Sequence, residues 1–385
     1  MIALGDYQAP AMPTEHAMRR LWKRVKQHIQ SLRQSESELA LPAKNFESAT
    51  LKALDQVAGP PACGPLLDDF DDALSGWLAD GAGLRHYLVV LPPCDHNNVI
   101  AAWAQSRGHA LLDAPPRHRL HESQPIRFPE AEDDALLVIP RLEDWFLRHR
   151  NGLVSIRALF AELAESKRRC LMGCNSWAWA FLVKSAGAAL VLPRPMSFAP
   201  FDALRLQQWF SELATQEVGR QVVFRLTDSG ADVLQKKDDG HLNNSYLEQL
   251  ASRSQGIPWV AWHQWRQSLR TSLDTNEYSP GVAKNDSRTL WITDVEDTSL
   301  PLELPLPLDD QESGLLMLHA LLMHGSLSVA ELTAVLPYPA RTDVIAALLR
   351  ADFIQKHGAM LAPQAGAYPA IRSALKAAGF PPGKV

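Results

Sequence analysis

Residues 86–104, with the sequence HYLVVLPPCDHNNVIAAWA, have the pattern of a phosphate-binding loop, in which an apolar strand leads through a tight turn into a helix. In a loop of the form G-x-x-x-x-G-K-[ST], backbone N–H groups surround the phosphates, the Lys reaches the β- and γ-phosphate oxygens, and the Ser or Thr hydroxyl binds Mg²⁺. The corresponding positions here hold Leu91, His96, Asn97 and Asn98. The order of elements is therefore kept, whereas the residues that bind phosphate are not.

A second alignment of this loop starts at Pro92 and places Asn97, Asn98 and Val99 at the Gly, Lys and Ser/Thr positions. Neither alignment supplies a lysine. The two asparagine amides can still donate hydrogen bonds to a phosphate, so one hypothesis is a switch that binds ATP without hydrolysing it.

Five apolar runs follow one another along the first half of the chain, and the segments between them are long enough to hold helices. The runs are 87–91, 110–113, 135–139, 169–173 and 189–192. Parallel strands need long return connections, so this alternation predicts an α/β domain with a five-stranded parallel sheet. The runs are continuously apolar, as expected of strands that are covered on both faces.

Beyond residue 200 the pattern becomes helical. Amphipathic segments at 201–215 and 244–269 predict a small helical domain, and Gly256 and Pro258 divide the second segment into two helices. A single strand candidate follows at 289–293, within a stretch rich in Thr, Asp, Ser and Pro that reads as a connector.

The last part of the chain predicts a winged helix-turn-helix. Helices are expected at 314–323, 328–335 and 340–350, followed by a hairpin at 353–362 that turns at His357 and Gly358. The predicted domains are a basic amphipathic helix and linker at 1–43, an α/β domain at 44–225, a helical lid at 226–272, a connector at 273–310 and a winged-helix domain at 311–385.

This order of elements resembles the AAA+ and STAND-type P-loop ATPases over residues 45–362. The stretch LVVLPPCDHNN is similar in position to their phosphate loop, and YLEQLASRSQGIPWVAWHQWRQSL resembles the helices that close over the nucleotide. The resemblance implies a P-loop NTPase-like sheet with a helical lid and a C-terminal winged helix.

The resemblance also implies an Asp and a Glu after the third strand, which orient Mg²⁺ and the attacking water. Pro140 and Arg141 stand there instead, and Glu143 and Asp144 follow slightly downstream. Positional errors of about 1 Å can lower a rate by ~100-fold, so these acids are residual candidates only. The alternative is that both are surface charges at the start of a helix, and no catalytic residue is predicted.

Three further positions are singled out by the resemblance. Asn175 follows the fourth strand where the family has a polar sensor for the γ-phosphate, although an Asn there also caps helices. Arg148 and Arg150 lie where an arginine of an oligomeric ATPase can reach a neighbour's phosphate. Without a competent loop, a protein interface is the better interpretation of these two arginines.

DNA binding is a second hypothesis, through the presumed recognition helix of the winged helix. This helix offers Arg341, Thr342 and Arg350 as DNA or partner contacts, whereas Asp343 would oppose phosphate. A net charge of -5 over 385 residues argues against a chain dominated by nucleic-acid affinity.

Composition suggests a cytoplasmic protein without a bound metal. The sequence has four cysteines, no signal peptide and no apolar run of the ~18 residues that span a bilayer. Cys170 and Cys174 are four apart without a second pair, which favours buried thiols over a zinc site. Residues 15–34 predict a basic amphipathic helix that packs on its own domain or contacts a membrane surface or a partner.

These observations lead to one principal hypothesis, a catalytically degenerate AAA+-like protein that acts as a structural or regulatory subunit. Its expected partner is another protein or a second copy of the chain. No cofactor is expected, with ATP as a residual ligand in the alternative interpretation.

Overall fold

The computed structural model describes residues 1–13, 46–48, 63–80, 84–122, 126, 128–129, 135–216, 221–237, 240–272, 287–293, 306–381 and 383. The predicted basic helix at 15–34 and most of the predicted connector at 273–310 lie outside these residues. Within the described part of the chain, no helix is both long enough and apolar enough to cross a membrane.

The strands are β1 (Ile2–Ala3), β2 (Phe46–Ser48), β3 (His86–Leu91), β4 (Ala110–Leu111), β5 (Leu137–Ile139), β6 (Cys170–Asn175), β7 (Met196–Ser197), β8 (Gln221–Leu226), β9 (Leu269–Ser272), β10 (Ser287–Ile292), β11 (Leu327–Ser328), β12 (Ile354–His357) and β13 (Met360–Pro363). The helices are α1 (Gly64–Ala79), α2 (Val99–Ser106), α3 (Val154–Glu165), α4 (Ser176–Ser185), α5 (Ala188–Val191), α6 (Ala203–Gln216), α7 (Tyr246–Arg253), α8 (Pro258–Ser268), α9 (Leu308–His324), α10 (Val329–Val335), α11 (Thr342–Arg350) and α12 (Tyr368–Ala377).

The chain divides into two compact units. The first comprises Met1–Gln8, Ala62–Ala199 and Leu300–Val385, and the second comprises Ala9–Pro61 and Pro200–Ser299. This grouping differs from the five predicted domains. The C-terminal residues belong to the same unit as the parallel sheet, and residues 200–225 belong to the same unit as the predicted lid.

The first unit contains a six-stranded sheet with the order β1-β7-β3-β6-β5-β4. The last five strands pair in parallel, and β1 adds to β7 in the antiparallel sense. Numbered along the chain, the parallel strands have the order 5-1-4-3-2. The α/β prediction with five parallel strands is confirmed. The strands β5 and β6 are buried along their whole length, which explains their continuously apolar sequences.

The position of the fifth strand was predicted wrongly. Residues 189–192 were expected to form it, but Ala188–Val191 is a single helical turn and the strand is Met196–Ser197. Leu190 is 92% exposed, so this apolar run does not lie in the sheet. Four apolar residues carry no periodicity that separates a strand from a helical turn.

One glycine fixes how closely the third and fourth parallel strands approach. A Cβ atom on Gly173 in β6 would collide with the carbonyl oxygen of Pro140 and with the side chain of Ile100. The backbone at the end of β5 therefore packs directly against β6, and this contact brings the residues after Ile139 close to Asn175.

The second unit has its own sheet, of which the sequence predicted only the strand at 289–293, present as β10. Its order is β2-β9-β10-β8, with β8 and β10 parallel and the other pairs antiparallel. The predicted helices are present as α6, α7 and α8, and the break occurs at Gly256, whose φ is +73°. Phe210 and Trp265 stack in its core with ring centroids 4.4 Å apart.

The three C-terminal helices and the hairpin are present where they were predicted, as α9, α10, α11, β12 and β13. A short strand, β11, completes a sheet of order β11-β13-β12. Ser328 and Glu331 form a capping box that starts α10, and Gly358 provides the positive φ of the hairpin turn. Residues 306–381, which include α12, are called the C-terminal module below.

Candidate functional site

The loop at residues 91–98 is built around its own hydrogen bonds. The backbone of Asn98 is in the left-handed conformation, and its side chain caps α2 by accepting from the backbone N–H of Ala101 at 3.3 Å. The carboxylate of Asp95 accepts from the backbone N–H of Val99 at 2.8 Å. N–H groups of this kind bind phosphate in a working loop, and here side chains of the loop itself occupy them.

His96 points to the C-terminal module rather than to an empty site. Its Nε2 atom lies 3.1 Å from the carbonyl oxygen of Pro363 and 3.0 Å from Nε2 of Gln355. Asn97 is exposed. Of the four predicted loop residues, Leu91 is buried at the end of β3, Asn98 is a helix cap and His96 contacts the module.

Arg141 and three carboxyl groups form a cluster beside this loop. Nε of Arg141 lies 3.4 Å from Oε1 of Glu143 and 3.4 Å from Oδ2 of Asp144. Burial acts to lower the pKa of Arg141, but Glu143, Asp144 and Asp95 raise it above its usual value. Arg117 also binds Asp144, with 3.2 Å between Nη2 and Oδ1. The predicted residual acids are therefore paired with arginines.

Glu143 is the most deeply buried member of the cluster, with 4% of its surface exposed. Burial raises the pKa of its carboxyl group, and the charge of Arg141 acts in the opposite direction. Its Oε2 atom accepts the backbone N–H of Asn175 at 3.1 Å. Glu143 thus ties the end of β5 to the end of β6.

Both polar atoms of the Asn175 side-chain amide form hydrogen bonds. Its Oδ1 atom accepts from the backbone N–H groups of Trp177 at 3.0 Å and Ala178 at 2.8 Å, so it caps α4. Its Nδ2 atom donates to the carbonyl oxygen of Met323 in α9 at 3.0 Å. The predicted sensor position therefore joins the sheet to the C-terminal module.

The space between these groups is small. A cavity of about 20 Å³ lies between the loop, Arg141, Glu143, Asn175 and Gly325. A single water molecule needs roughly 10–15 Å³ of such space. A Cβ atom on Gly325 would collide with the guanidinium group of Arg141, so the arginine lies directly against the module. The space that these residues leave does not fit a nucleoside triphosphate.

Arg148 forms a second contact with the C-terminal module. Its Nη1 atom lies 3.1 Å from Nδ1 of His319, and its Nη2 atom donates to the carbonyl oxygen of Val335 at 3.3 Å. Its backbone N–H donates to Nε2 of His324 at 3.3 Å. The predicted interface residue Arg148 thus binds within the unit, whereas Arg150 is exposed.

The helix predicted at 340–350 for DNA recognition corresponds to α11 and the residue before it, Arg341, and one of its two cations is paired with acids. The guanidinium group of Arg341 binds Asp343 and Asp310, and these partners hold its pKa above the usual value, with Asp343 as the main cause. Thr342 is exposed at the first turn. Arg350 is exposed and donates to the carbonyl oxygen of Ala346 at 3.3 Å.

Sequence reasoning missed the residues that close the site from the module side. His319, Met323 and His324 carry no motif, and their partners lie far away in sequence; Arg117 of the α/β part, for example, donates to the carbonyl oxygen of His324, 207 positions later. Arg141 was noted only as a replacement for an acid.

The parallel strands have the order 5-1-4-3-2, the loop at residues 91–98 follows the first of them, and a C-terminal module of helices and three short strands belongs to the same unit. No protein-family model matches the chain, and no curated protein matches it in sequence.

Several solved structures are similar to the chain. A mutant RuvB from Thermotoga maritima is 14% identical, with 79% of this chain and 93% of that chain covered at a TM-score of 0.34. Cdc6p from Pyrobaculum aerophilum is 11% identical, with 84% and 98% covered at a TM-score of 0.30. The ORC2 protein of Aeropyrum pernix, solved in ADPNP-ADP complexes, is 11% identical, with 81% and 92% covered at a TM-score of 0.31. These scores equate no residue of the chain with a residue of those proteins.

Proposed function

We propose that the chain is a catalytically degenerate AAA+-like protein, a pseudo-ATPase that serves as a structural or regulatory subunit of a protein complex. The observation that carries the proposal is the filled space at the carboxyl edge of the parallel sheet. Arg141 lies there against Gly325, and the remaining cavity measures about 20 Å³.

The charges around this space also disfavour a nucleotide. Asp95, Glu143 and Asp144 surround Arg141, and no lysine is available in the loop. Binding a triphosphate would require Arg141 to leave Glu143, whose buried carboxyl group would then lack its counter-charge. The free-energy cost of separating Arg141 from Glu143 supports a structural role for these residues rather than nucleotide binding.

The C-terminal module, which we take as a winged helix, serves in this proposal to cover the sheet edge. Asn175 binds Met323, and Arg148 binds His319 and His324, so the module completes the hydrogen bonds of the edge. The pairing of Arg341 with two aspartates leaves little free positive charge at the start of α11 for a phosphate backbone. A protein-binding role is therefore proposed in preference to DNA recognition.

Titration calorimetry of the full chain with Mg-ATP and with a non-hydrolysable analogue tests the proposal. The expected result is no binding heat at ligand concentrations of about 1 mM, which corresponds to an affinity weaker than ~4 kcal/mol. Phosphate release is expected at the same background rate for the wild type and for Glu143→Gln. Turnover that Glu143→Gln abolishes would show that the displaced acid is catalytic and would overturn the proposal.

A further inference from the structure

Two histidines of α9 share one arginine of the α/β part of the same unit. Nδ1 of His319 lies 3.1 Å from Nη1 of Arg148, and Nε2 of His324 lies 3.3 Å from the backbone nitrogen of Arg148. His324 is completely buried, and His319 is partly buried. These three residues are called the Arg148 contact below.

The hydrogen bonds determine the charge of both rings. A guanidinium group has only donors, so Nδ1 of His319 must accept from Arg148. The backbone N–H of Arg148 is also a donor, so Nε2 of His324 must accept from it. A protonated imidazole has an N–H on both nitrogens and cannot accept. The Arg148 contact therefore requires both histidines to be neutral.

The surroundings of the rings oppose protonation. Burial and Arg148 lower the pKa of His319 to about 4. Burial, Arg117 and Arg148 lower the pKa of His324 well below its usual value, while the backbone of Glu143 acts weakly in the opposite direction and His319 adds to the lowering. Among the described residues, the charged groups that face these rings are thus arginines.

The other neighbours of the rings are aromatic. The ring of His324 lies 4.9 Å from that of Phe146, and the ring of His319 lies 5.5 Å from Trp177 and 5.1 Å from Phe380. An imidazolium at position 319 would be repelled by Arg148, and one at position 324 by Arg148 and Arg117, and each would lose the hydrogen bond that the neutral ring accepts.

We propose that protonation of His319 and His324 in acid breaks the Arg148 contact and releases the C-terminal module from the edge of the parallel sheet. This inference concerns release of the module and holds whether or not the chain binds ATP. In the released module the histidines regain a pKa near ~6.5, so the released state binds more protons between about pH 6.5 and 4. Each histidine contributes up to about tenfold per pH unit, so two contribute up to about 100-fold.

The cysteines of the first unit provide a positional readout. Cys94 and Cys174 line the cavity beneath Gly325 of the module. Cys170 is fully buried at the other end of β6 and reports unfolding of the sheet itself. Release of the module therefore exposes Cys94 and Cys174, while Cys170 stays protected.

The experiment labels the full chain with 4,4′-dithiodipyridine, which reacts with thiols in acid, and measures each cysteine by peptide mass spectrometry from pH 7 to pH 4. The expected result is that labelling of Cys94 and Cys174, relative to Cys170, increases with acid by up to about 100-fold per pH unit. His319→Gln and His324→Gln keep an acceptor that does not titrate, so the double variant should lose the acid dependence. His149→Gln, at an exposed histidine beside Arg148, is the matched control and should behave as the wild type.

Three outcomes would overturn the proposal. They are acid-dependent labelling that persists in the double variant, labelling of all three cysteines together, and labelling that does not change with pH in the wild type. If the double variant does not fold, His319→Gln alone decides the matter. Its acid dependence should fall to about tenfold per pH unit, and an unchanged dependence would contradict the inference.

Discussion

Replacement of Arg141 by methionine should destabilise the first unit strongly, because it removes the counter-charge of a buried carboxyl group. Breaking a buried ion pair from one side costs about 3–5 kcal/mol. The side chain of Arg141 keeps 26% exposure, whereas that of Glu143 keeps 6%, so we expect the lower end of this range, about 3 kcal/mol. Methionine approximates the length of the arginine stem, which limits the contribution of a cavity.

The double variant Arg141→Met with Glu143→Gln should recover most of this loss. A glutamine at position 143 can still accept the backbone N–H of Asn175, and no buried charge remains at that pair. The coupling free energy between the two positions should be about 1–3 kcal/mol.

The loss in Arg141→Met should also depend on pH. Without Arg141, burial keeps the pKa of Glu143 raised above its unfolded value. A carboxyl group with a raised pKa contributes stability at low pH that is lost as the pH rises through the folded pKa. Relative to the wild type, the variant should therefore be less destabilised at pH 5 than at pH 8.

Urea unfolding, followed through the reactivity of the buried Cys170, measures the free energy of unfolding of the first unit alone. Stability of Arg141→Met within about 0.5 kcal/mol of the wild type would refute the reasoning. So would a loss of the same size with and without Glu143→Gln, because the buried carboxylate would then not be its cause.

Three other predictions follow from the same contacts. Asn175→Ala removes a helix cap and leaves the carbonyl oxygen of Met323 without its donor. The free energy of unfolding in urea should therefore fall by about 2–4 kcal/mol. A decrease below about 0.5 kcal/mol would contradict the described contacts. Gly173→Ala should lower the free energy of unfolding by at least about 1–3 kcal/mol, because its Cβ atom meets the backbone of Pro140. Gly76→Ala, whose Cβ atom meets open space in α1, is the control and should raise it by ~0.5–1 kcal/mol. Equal effects would contradict the close approach of β5 and β6. Arg341→Ala should leave DNA retardation by the full chain and its salt dependence unchanged, since its guanidinium is already paired, and a reduced salt slope would instead indicate a phosphate contact.

The parallel sheet was predictable because its central strands are short, buried and continuously apolar. The strands β3, β5 and β6 stand out in the sequence for this reason, and the long segments between them imply parallel pairing. The fifth strand was not predictable, because a run of four apolar residues before Pro193 fits a helical turn equally well. Apart from β10, the sheet of the second unit was missed because β9 has only four residues and directly continues α8.

The candidate site, like the fold, was predictable from the sequence only in part. The absence of a lysine from the loop at residues 91–98 is visible in its sequence alone. That Arg141 fills the space depends on contacts with Gly325, which lies 184 positions later in the chain and carries no motif. Asn175 was singled out with two alternatives, and its bonds in the structure are those of a helix cap and a bridge to α9. A role as sensor stays a prediction.

The discontinuity of the first unit has a consequence for biosynthesis. Residues up to Ala199 form the sheet, but Leu300–Val385 completes its carboxyl edge. A ribosome that adds about 5–20 residues per second needs roughly 10–40 s to synthesise residues 200–385. Until α9 is synthesised within this interval, Arg148 and Asn175 lack their C-terminal partners. The nascent chain therefore exposes the carboxyl edge of its parallel sheet until α9 is synthesised. We expect chaperones to bind this edge during that time.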